Sequence, residues 1–241
     1  MLARVLRALE APLLVAVPLV LALCAFFQFD QTALLTLVVA FAALALFFAS
    51  FEASAPALRQ IMPTVVLGAI AAAGRILFAP LPSFKPVSAI CVVAGVVFGR
   101  RCGFMVGALA ALVSNFFLGQ GAWTPWQMYA WGLVGYLAGV LADHGAFGRA
   151  DADGVRTPRL PVICVYGFLS ALLYGFLLNT WTLVGFVHPI TPASAVLTYA
   201  AALPFDFVHG AATVVFLLAI FVPWSKKLER IKRKYALMGR G

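Results

Sequence analysis

Eight apolar runs separated by short polar breaks constrain this chain more than any other feature of its sequence. A transmembrane α-helix needs about 20 predominantly apolar residues, and most of the runs come close to that length. None of them shows the strict alternation of a membrane β-strand. The sequence therefore predicts an all-α polytopic membrane protein with spans near 11–28, 32–51, 62–79, 86–99, 102–119, 125–142, 161–180 and 203–222.

Composition excludes a soluble enzyme and a disordered chain. Of the 241 residues, 64% are hydrophobic and 10% are charged, whereas a soluble domain has roughly 45–50% apolar and about 25% charged residues. A soluble globule of this composition would lack the polar residues that cover a surface. The four cysteines are scattered through apolar segments without CxxC spacing, which predicts buried thiols rather than disulfides or a metal site.

The distribution of Lys and Arg predicts the orientation. With the N-terminus inside, eight alternating spans place Arg75 and Lys85 outside and the other 15 of the 17 basic residues inside. Cytoplasmic loops carry such an excess, so we expect a multi-pass protein of the cell membrane with both termini and the 143–161 connector cytoplasmic. The basic stretch at 226–234 is interpreted as an anchor on anionic membrane lipid, and no nucleic-acid partner is expected.

Three connections on the predicted outer side, 78–86, 115–128 and 179–192, are almost uncharged and rich in Pro, Trp, Asn and Gln. Aromatic faces and neutral hydrogen-bonding groups suit a bulky, partly apolar small molecule. We therefore predict one substrate cavity at the outer ends of the spans. Its predicted lining is Arg75, Lys85, Asn115, Gln120, Trp123, Trp126 and Asn179.

Several of these residues have a second interpretation. Trp123 and Trp126 also fit aromatic anchors at the membrane interface. Thr124 and Gln127 have the spacing of a helix-capping box, with a proline at the first helical position. Asn115 falls in the outer third of a span, where an unpaired amide is costly, so it should face protein or a ligand.

Ionisable residues inside the spans are functional candidates by default. Arg75 either snorkels to lipid headgroups or binds an anion in the cavity. Asp206 is the one acid inside an apolar run, and His209 follows it by one helical turn. Two structural interpretations stay open: Pro204 starts the last helix and places Asp206 in its first turn, or Asp206 pairs with Arg75.

Small residues recur at every fourth position in the third and fifth predicted spans. Such faces let helix backbones approach closely in lipid. They fit either packing within the bundle or docking of a partner membrane subunit. The two sets are Gly68, Ala69, Ala72 and Ala73, and Gly103, Gly107 and Ala111.

At this point the sequence resembles a known family. The stretch from Arg75 through the proline-rich loop to Pro86, the small residues at 95–111 and the pair Ser114-Asn115 resemble the substrate-binding S-components of energy-coupling factor (ECF) vitamin transporters. The Trp-Thr-Pro-Trp segment within 119–127 is similar to one branch of that family. The resemblance covers about residues 62–224, and the first two predicted spans have no counterpart in its minimal six-helix members.

The resemblance implies an architecture and a mechanism. It implies a six-helix substrate-binding core at 62–224, preceded by a two-helix extension at 1–61 and followed by a basic tail at 225–241. An S-component binds a vitamin or related micronutrient at its outer face and docks on a membrane scaffold subunit driven by two cytosolic ATPases. Docking would use Ala69 and Ala73, and the Trp-Thr-Pro-Trp branch points to cobalamin or a related corrinoid.

Two other classes of function compete with this one. A self-sufficient secondary transporter would need Asp206 to couple protons to transport. An intramembrane enzyme would use Asp206 and His209, but the sequence offers them no evident nucleophile or metal partner and contains no HExxH or GxSxG motif. We therefore predict a non-enzymatic protein without a cofactor, and it has no phosphate-binding GxxxxGK[ST] loop of its own.

Overall fold

The structure, a computed structural model, describes residues 2–27, 37–38, 40–45, 48–49, 58–148 and 157–235. All regular secondary structure in these residues is helical, which confirms the all-α prediction for them. Residues 37–38, 40–45 and 48–49 are helical as well. The helices with defined ends are α1 (Leu2–Phe27), α2 (Leu58–Leu77), α3 (Val87–Phe98), α4 (Arg100–Leu118), α5 (Thr124–Asp143), α6 (Leu160–Phe186) and α7 (Pro192–Lys234).

Three helices within the described residues, α4, α6 and α7, are long and apolar enough to cross a membrane. Shorter apolar stretches lie at Ala8–Leu23, Ile61–Leu77 and Val87–Phe98. These helices support the prediction of a helical membrane protein. Half of the predicted span 32–51 lies outside the described residues, as do positions 149–156 of the predicted connector and tail residues 236–241.

Helix α3 is short and completely enclosed. All 12 of its residues are buried, and at 1.5 Å per residue it is about 18 Å long, less than the roughly 30 Å of a bilayer's hydrocarbon core. A single residue, Gly99, with φ 92° separates α3 from α4, a conformation that glycine adopts without strain. The chain reverses at this residue, so that Gly95 and Gly103 on either side of it face each other.

Glycines bring the backbones of α3, α4 and α5 into contact. A methyl group at Gly95 would collide with the carbonyl oxygen of Gly135, and one at Gly135 would collide with Gly103. Gly107 faces the backbone of Trp131 in the same way. Small residues permit this close approach, so the set in the fifth predicted span serves packing within the bundle rather than docking.

The small residues of α2 divide between two faces. Gly68 is buried against Leu109 of α4, and Ala72 is also buried. Ala69 and Ala73 are exposed. Gly68 and Ala72 therefore pack inside the bundle, while the pair predicted to dock faces outward.

Helix α1 is tied to the rest of the bundle through polar contacts. Glu10 is 1% exposed, and its carboxylate accepts a hydrogen bond from Nε of Arg101 at 2.7 Å. The hydroxyl of Tyr129 donates to the carbonyl of Leu14. A buried carboxylate is costly unless a cation pairs with it, so these contacts fix α1 on the first turn of α4 and on α5.

Helix α7 starts earlier than the sequence predicted. It begins at Pro192, with a capping box between Thr191 and Ser194, and continues through Pro204. The expectation that Pro204 starts the last helix, with Asp206 in its first turn, is therefore wrong. A complete cap upstream sets the start, and an internal proline is tolerated where neighbouring groups satisfy the freed backbone.

Candidate functional site

A buried arginine lies at the centre of the polar residues. Arg75, in the last turn of α2, is 9% exposed. Its Nη1 donates to the hydroxyl of Ser114 at 2.7 Å and to Oδ1 of Asn115, and its Nη2 donates to Oε1 of Gln127 at 3.4 Å. The guanidinium carbon lies 4.9 Å from the centre of the Trp131 ring, a cation–π contact. Arg75 thus points into the bundle and does not snorkel to headgroups.

Amide and hydroxyl groups continue this network. Nδ2 of Asn115 donates to Oγ1 of Thr124 at 2.9 Å and to Oε1 of Gln127 at 2.8 Å. The Thr124 hydroxyl donates to Oε1 of Gln120 at 2.8 Å, and Nε2 of Gln120 donates to the carbonyl of Leu112 at 3.1 Å. We name the Arg75 cluster by its members: Arg75, Ser114, Asn115, Gln120, Thr124 and Gln127.

The predicted capping box at the start of α5 does not form. Trp123 is the N-cap residue, no side-chain cap hydrogen bond is present, and proline occupies the first turn as expected. The side chains of Thr124 and Gln127 instead bond to Asn115, and Gln127 also bonds to Arg75. The shorter of these bonds are the ones to Asn115, at 2.9 Å for Thr124 and 2.8 Å for Gln127, and they satisfy an amide that would be costly to bury unpaired.

Aromatic side chains lie next to the cluster on the side of the bundle centre. Trp131 of α5 stacks on Tyr174 of α6, with ring centroids 4.5 Å apart, and donates its indole N–H to Ser88 of α3 at 3.2 Å. The Ser88 hydroxyl lies 2.9 Å from Nε2 of His209 of α7, whose ring meets Tyr174 edge-on. Four helices thus contribute one side chain each to an aromatic and polar layer beside Arg75.

Lys85 brings a second positive charge to this end of the bundle. Its Nζ donates to the carbonyls of Phe78 at 3.1 Å and Leu81 at 3.0 Å, which holds the ammonium against its own loop. Burial lowers the pKa of Lys85, and the positive charge of Arg75 lowers it further. A like charge disfavours protonation, so Arg75 and Lys85 share one electrostatic environment.

Asn179 and Asp206 form a separate pair. Nδ2 of Asn179 donates to Oδ2 of Asp206 at 3.0 Å, and Gly175 leaves room for this carboxylate, because a methyl group there would collide with it. In the part of the chain that the structure describes, Arg75 makes no ion pair with Asp206. The interpretation of these two residues as a structural pair is therefore wrong.

The two predicted tryptophans lie apart from the cluster. Trp123 is 40% exposed, and its ring covers Gly121. Trp126 is 1% exposed within the hydrophobic core, and its Nε1 finds no hydrogen-bond partner among the described residues. Of the predicted lining, the structure joins Arg75, Asn115 and Gln120 in one hydrogen-bonded network and brings Lys85 near them. As ligand contacts, all seven residues stay predictions.

Sequence reasoning missed several residues of this region. The sequence pattern assigns Gln127 to a helix cap. However, Trp131 follows Gln127 by one helical turn, and both side chains contact Arg75. This spacing of four residues indicates a shared helix face and could have placed Gln127 in the site. Ser88 and Tyr174 carried none, because each resembles an ordinary residue of an apolar helix and gains its role from neighbours distant in sequence.

An apolar groove lies at the other end of α2. Its volume is about 550 Å³, and it is enclosed by the first half of α2, the end of α3 and the end of α7. Lys227 is the one charged residue in its lining. The groove therefore offers an almost entirely hydrophobic surface, in contrast to the polar groups around Arg75.

Chemically, the Arg75 end is suited to binding. It combines a buried guanidinium, three side-chain amides and stacked aromatic rings. No group of three metal-ligating side chains occurs in the described ranges. Cys91 and Cys102 are free and buried, as predicted, whereas Cys164 is half-buried.

Comparison with known proteins gives one match. No curated protein and no solved structure matches the chain. A family model matches residues 54–233, a range that contains α2 to α6, nearly all of α7 and the entire Arg75 cluster, and excludes α1. The chain belongs to the family of unknown function DUF6580.

Proposed function

We propose that this protein is the substrate-binding membrane subunit of an ATP-driven, ECF-type micronutrient importer. The observation that carries the proposal is the Arg75 cluster: a hydrogen-bonded polar site enclosed by the ends of several apolar helices. Polar groups inside a membrane protein are expensive and mark substrate sites. The substrate is a vitamin or related small molecule, with cobalamin or another corrinoid as the candidate that the sequence resemblance favours.

The proposal includes an orientation and an architecture. The Arg75 end faces outward, both termini are cytoplasmic, and a six-helix core at 62–224 follows two N-terminal helices. The distribution of basic residues supports this orientation. A cysteine placed at position 154, in the predicted cytoplasmic connector, should resist a membrane-impermeant thiol reagent added to intact cells, and labelling there would overturn the orientation.

Docking on a scaffold subunit is proposed to use the outward face of α2. Ala69 and Ala73 are exposed there, four residues apart, and small residues permit close helix approach. Ala73→Leu should leave ligand binding intact and abolish ATP-dependent transport, because the larger side chain separates the two backbones. Ala211→Leu, at an exposed position of α7, is the matched control and should transport normally.

Transport assays test the function directly. Uptake by cells that express the chain together with ECF scaffold and ATPase subunits should exceed uptake by cells that lack the ATPases. Native mass spectrometry of the purified protein should detect a bound small molecule. Uptake that persists without the ATPases would replace the proposal with a secondary transporter.

The secondary transporter is the second candidate, because Asp206 and His209 lie one turn apart in the membrane-length helix α7. Such a carrier would lose uptake on addition of a protonophore at constant ATP and in the Asp206→Asn variant.

The Ser88–His209 contact also supplies a hydroxyl beside a base. Labelling of Ser88 by a fluorophosphonate would favour an intramembrane enzyme instead.

A further inference from the structure

Among the described residues, Arg75 and Glu10 are two buried charged side chains with different kinds of partner. Glu10 of α1 is buried, and its carboxylate is paired with Nε of Arg101 at 2.7 Å. The buried guanidinium of Arg75 has only neutral partners among the described residues: a hydroxyl, two amide oxygens and an indole ring. The fold thus pairs opposite charges at one buried site and leaves a positive charge without a carboxylate at the other.

The surroundings of Arg75 add positive charge rather than remove it. The charge of Arg75 acts electrostatically on Lys85, a second cation at this end of the bundle. Asp206 is engaged with Asn179 instead of with Arg75. A buried charge without a partner of opposite sign costs several kcal/mol, and neutral hydrogen bonds offset that cost only in part.

The cluster is arranged to present the guanidinium to a ligand. A guanidinium has five N–H donors, and the described residues accept three hydrogen bonds from Arg75. Oε1 of Gln127 is shared between Arg75 and Asn115, and the bond to Arg75 is long at 3.4 Å. A carboxylate or phosphate oxygen forms shorter and stronger bonds with a guanidinium than an amide oxygen does, so it would displace Gln127 readily.

The aromatic layer indicates what accompanies the anionic group. Trp131 and Tyr174 form a stacked pair directly beside the guanidinium. Trp131 is buried and Tyr174 is partly buried, so an aromatic or other flat apolar body attached to the acid would meet this layer at Tyr174. The same end therefore combines one strong anion donor with an apolar contact surface.

We infer that the substrate of the Arg75 end is an organic anion, with one carboxylate or phosphate group bound by Arg75 and an apolar body against the aromatic rings. This inference rests on the proposed function and specifies the substrate class. We expect an acid to bind more tightly than a neutral molecule of the same shape, because only the acid compensates the buried positive charge of Arg75.

The test compares matched probes on purified full-length protein in a neutral detergent without added lipid. Thermal unfolding is followed with benzoate and with benzamide, which have nearly the same shape but differ in charge, and with phenyl phosphate as a second anion. Benzoate or phenyl phosphate should stabilise the wild-type protein, and benzamide should bind at least about tenfold more weakly. An equal response to benzoate, phenyl phosphate and benzamide, including no response, overturns the inference without any variant.

Variants then assign the effect to Arg75. Arg75→Gln should weaken the binding of the stabilising anion at least about tenfold, and Arg75→Lys, which keeps the charge without the planar fork, should retain part of it. Arg159→Gln, at an exposed position at the start of α6, is the control and should bind like the wild type. Unchanged anion binding by Arg75→Gln would overturn the assignment.

A lipid headgroup could supply the same anionic chemistry as a transported acid, and mixed micelles distinguish the two sources. If phosphatidylglycerol gives Arg75-dependent stabilisation while benzoate and phenyl phosphate do not, the anion is a lipid headgroup and the substrate assignment is wrong. ATP-dependent uptake tests the importer separately. The protein could show ATPase-dependent uptake and yet bind anionic and neutral probes equally. That result would overturn this inference and leave the proposed function in place.

Discussion

The two ends of the helix core are held together by different kinds of contact. Near the reversal at Gly99, the backbones of α3, α4 and α5 touch at Gly95, Gly103 and Gly135, with no side chain between them. At the other end, α2, α4 and α5 are joined by the side chains of the Arg75 cluster. One end is a set of steric contacts and the other is a set of hydrogen bonds.

The two kinds of contact differ in how easily they can be rearranged. Backbone contacts at glycine cannot be relieved by rotating a side chain, so the helices there have a single spacing. Hydrogen-bonded side chains can exchange one partner for another at small net cost, because each bond contributes only about 1 kcal/mol. Hydrogen-bond partners can therefore be exchanged around Arg75, whereas the helix contacts at the glycines leave no room for such exchange.

The largest loss of stability is expected from a Gly→Ala substitution at the glycine end, and the same substitution at the Arg75 end should cost much less. Gly135→Ala places a methyl group against the backbone of Gly103 and should lower the free energy of unfolding by about 3 kcal/mol or more. Gly121→Ala meets only the ring of the half-exposed Trp123, which can rotate away. Thermal unfolding and the monodisperse fraction in detergent measure both, and equal losses would contradict the contrast.

A smaller loss of stability, with a large loss of binding, is expected at the centre of the cluster. Asn115→Ala removes hydrogen bonds to Arg75, Thr124 and Gln127 and should destabilise the fold by about 1–3 kcal/mol. It should also weaken binding of benzoate at least about tenfold. Thr182→Ala, exposed on α6, serves as the control; normal benzoate binding by a well-folded Asn115→Ala protein would remove Asn115 from the site.

Trp123→Ala tests the edge of the predicted cavity. Trp123 is half-exposed and packs on Gly121, so the variant should fold and insert normally. If it covers the substrate, affinity for the transported substrate should fall by about tenfold, roughly 1.4 kcal/mol. Unchanged affinity would show that Trp123 is an anchor at the membrane interface.

The smallest effect is expected at the groove. Trp224→Ala enlarges an apolar surface at the end of α2 remote from Arg75. Affinity at the Arg75 end should therefore stay within about twofold of wild type, since distant sites act independently. A tenfold change, measured by the same binding assay, would show that the two ends are coupled.

The elements that were predictable from sequence are those with a local signal. Apolar runs located α2 to α5 to within about four residues at each end, whereas α6 continues six residues past its predicted end. The start of α7 was missed because a proline inside the run outweighed the Thr191 cap that precedes it. Because an unpaired buried amide is costly, the sequence predicted that Asn115 faces protein or a ligand. Asn115 is indeed buried against protein.

The composition of the site was only partly predictable, because it depends on contacts between distant segments. Arg75 and Asn115 were identified by their polarity inside apolar runs, and the structure joins them. Ser88 gains its hydrogen-bond partners, and Tyr174 its stacking partner, only because α3, α6 and α7 meet beside Trp131. No spacing along the chain encodes that meeting.

Helix α7 has 43 residues, and its length has a mechanical consequence. At 1.5 Å per residue it extends about 64 Å, more than the roughly 40–45 Å thickness of a whole bilayer. It carries His209 beside the aromatic layer and Lys227 in the distant groove. A tilt of α7 as a whole, or a bend at Pro204 or Pro223, would move the basic end of the helix. A displacement of His209 would therefore be accompanied by a displacement of the residues that line the groove.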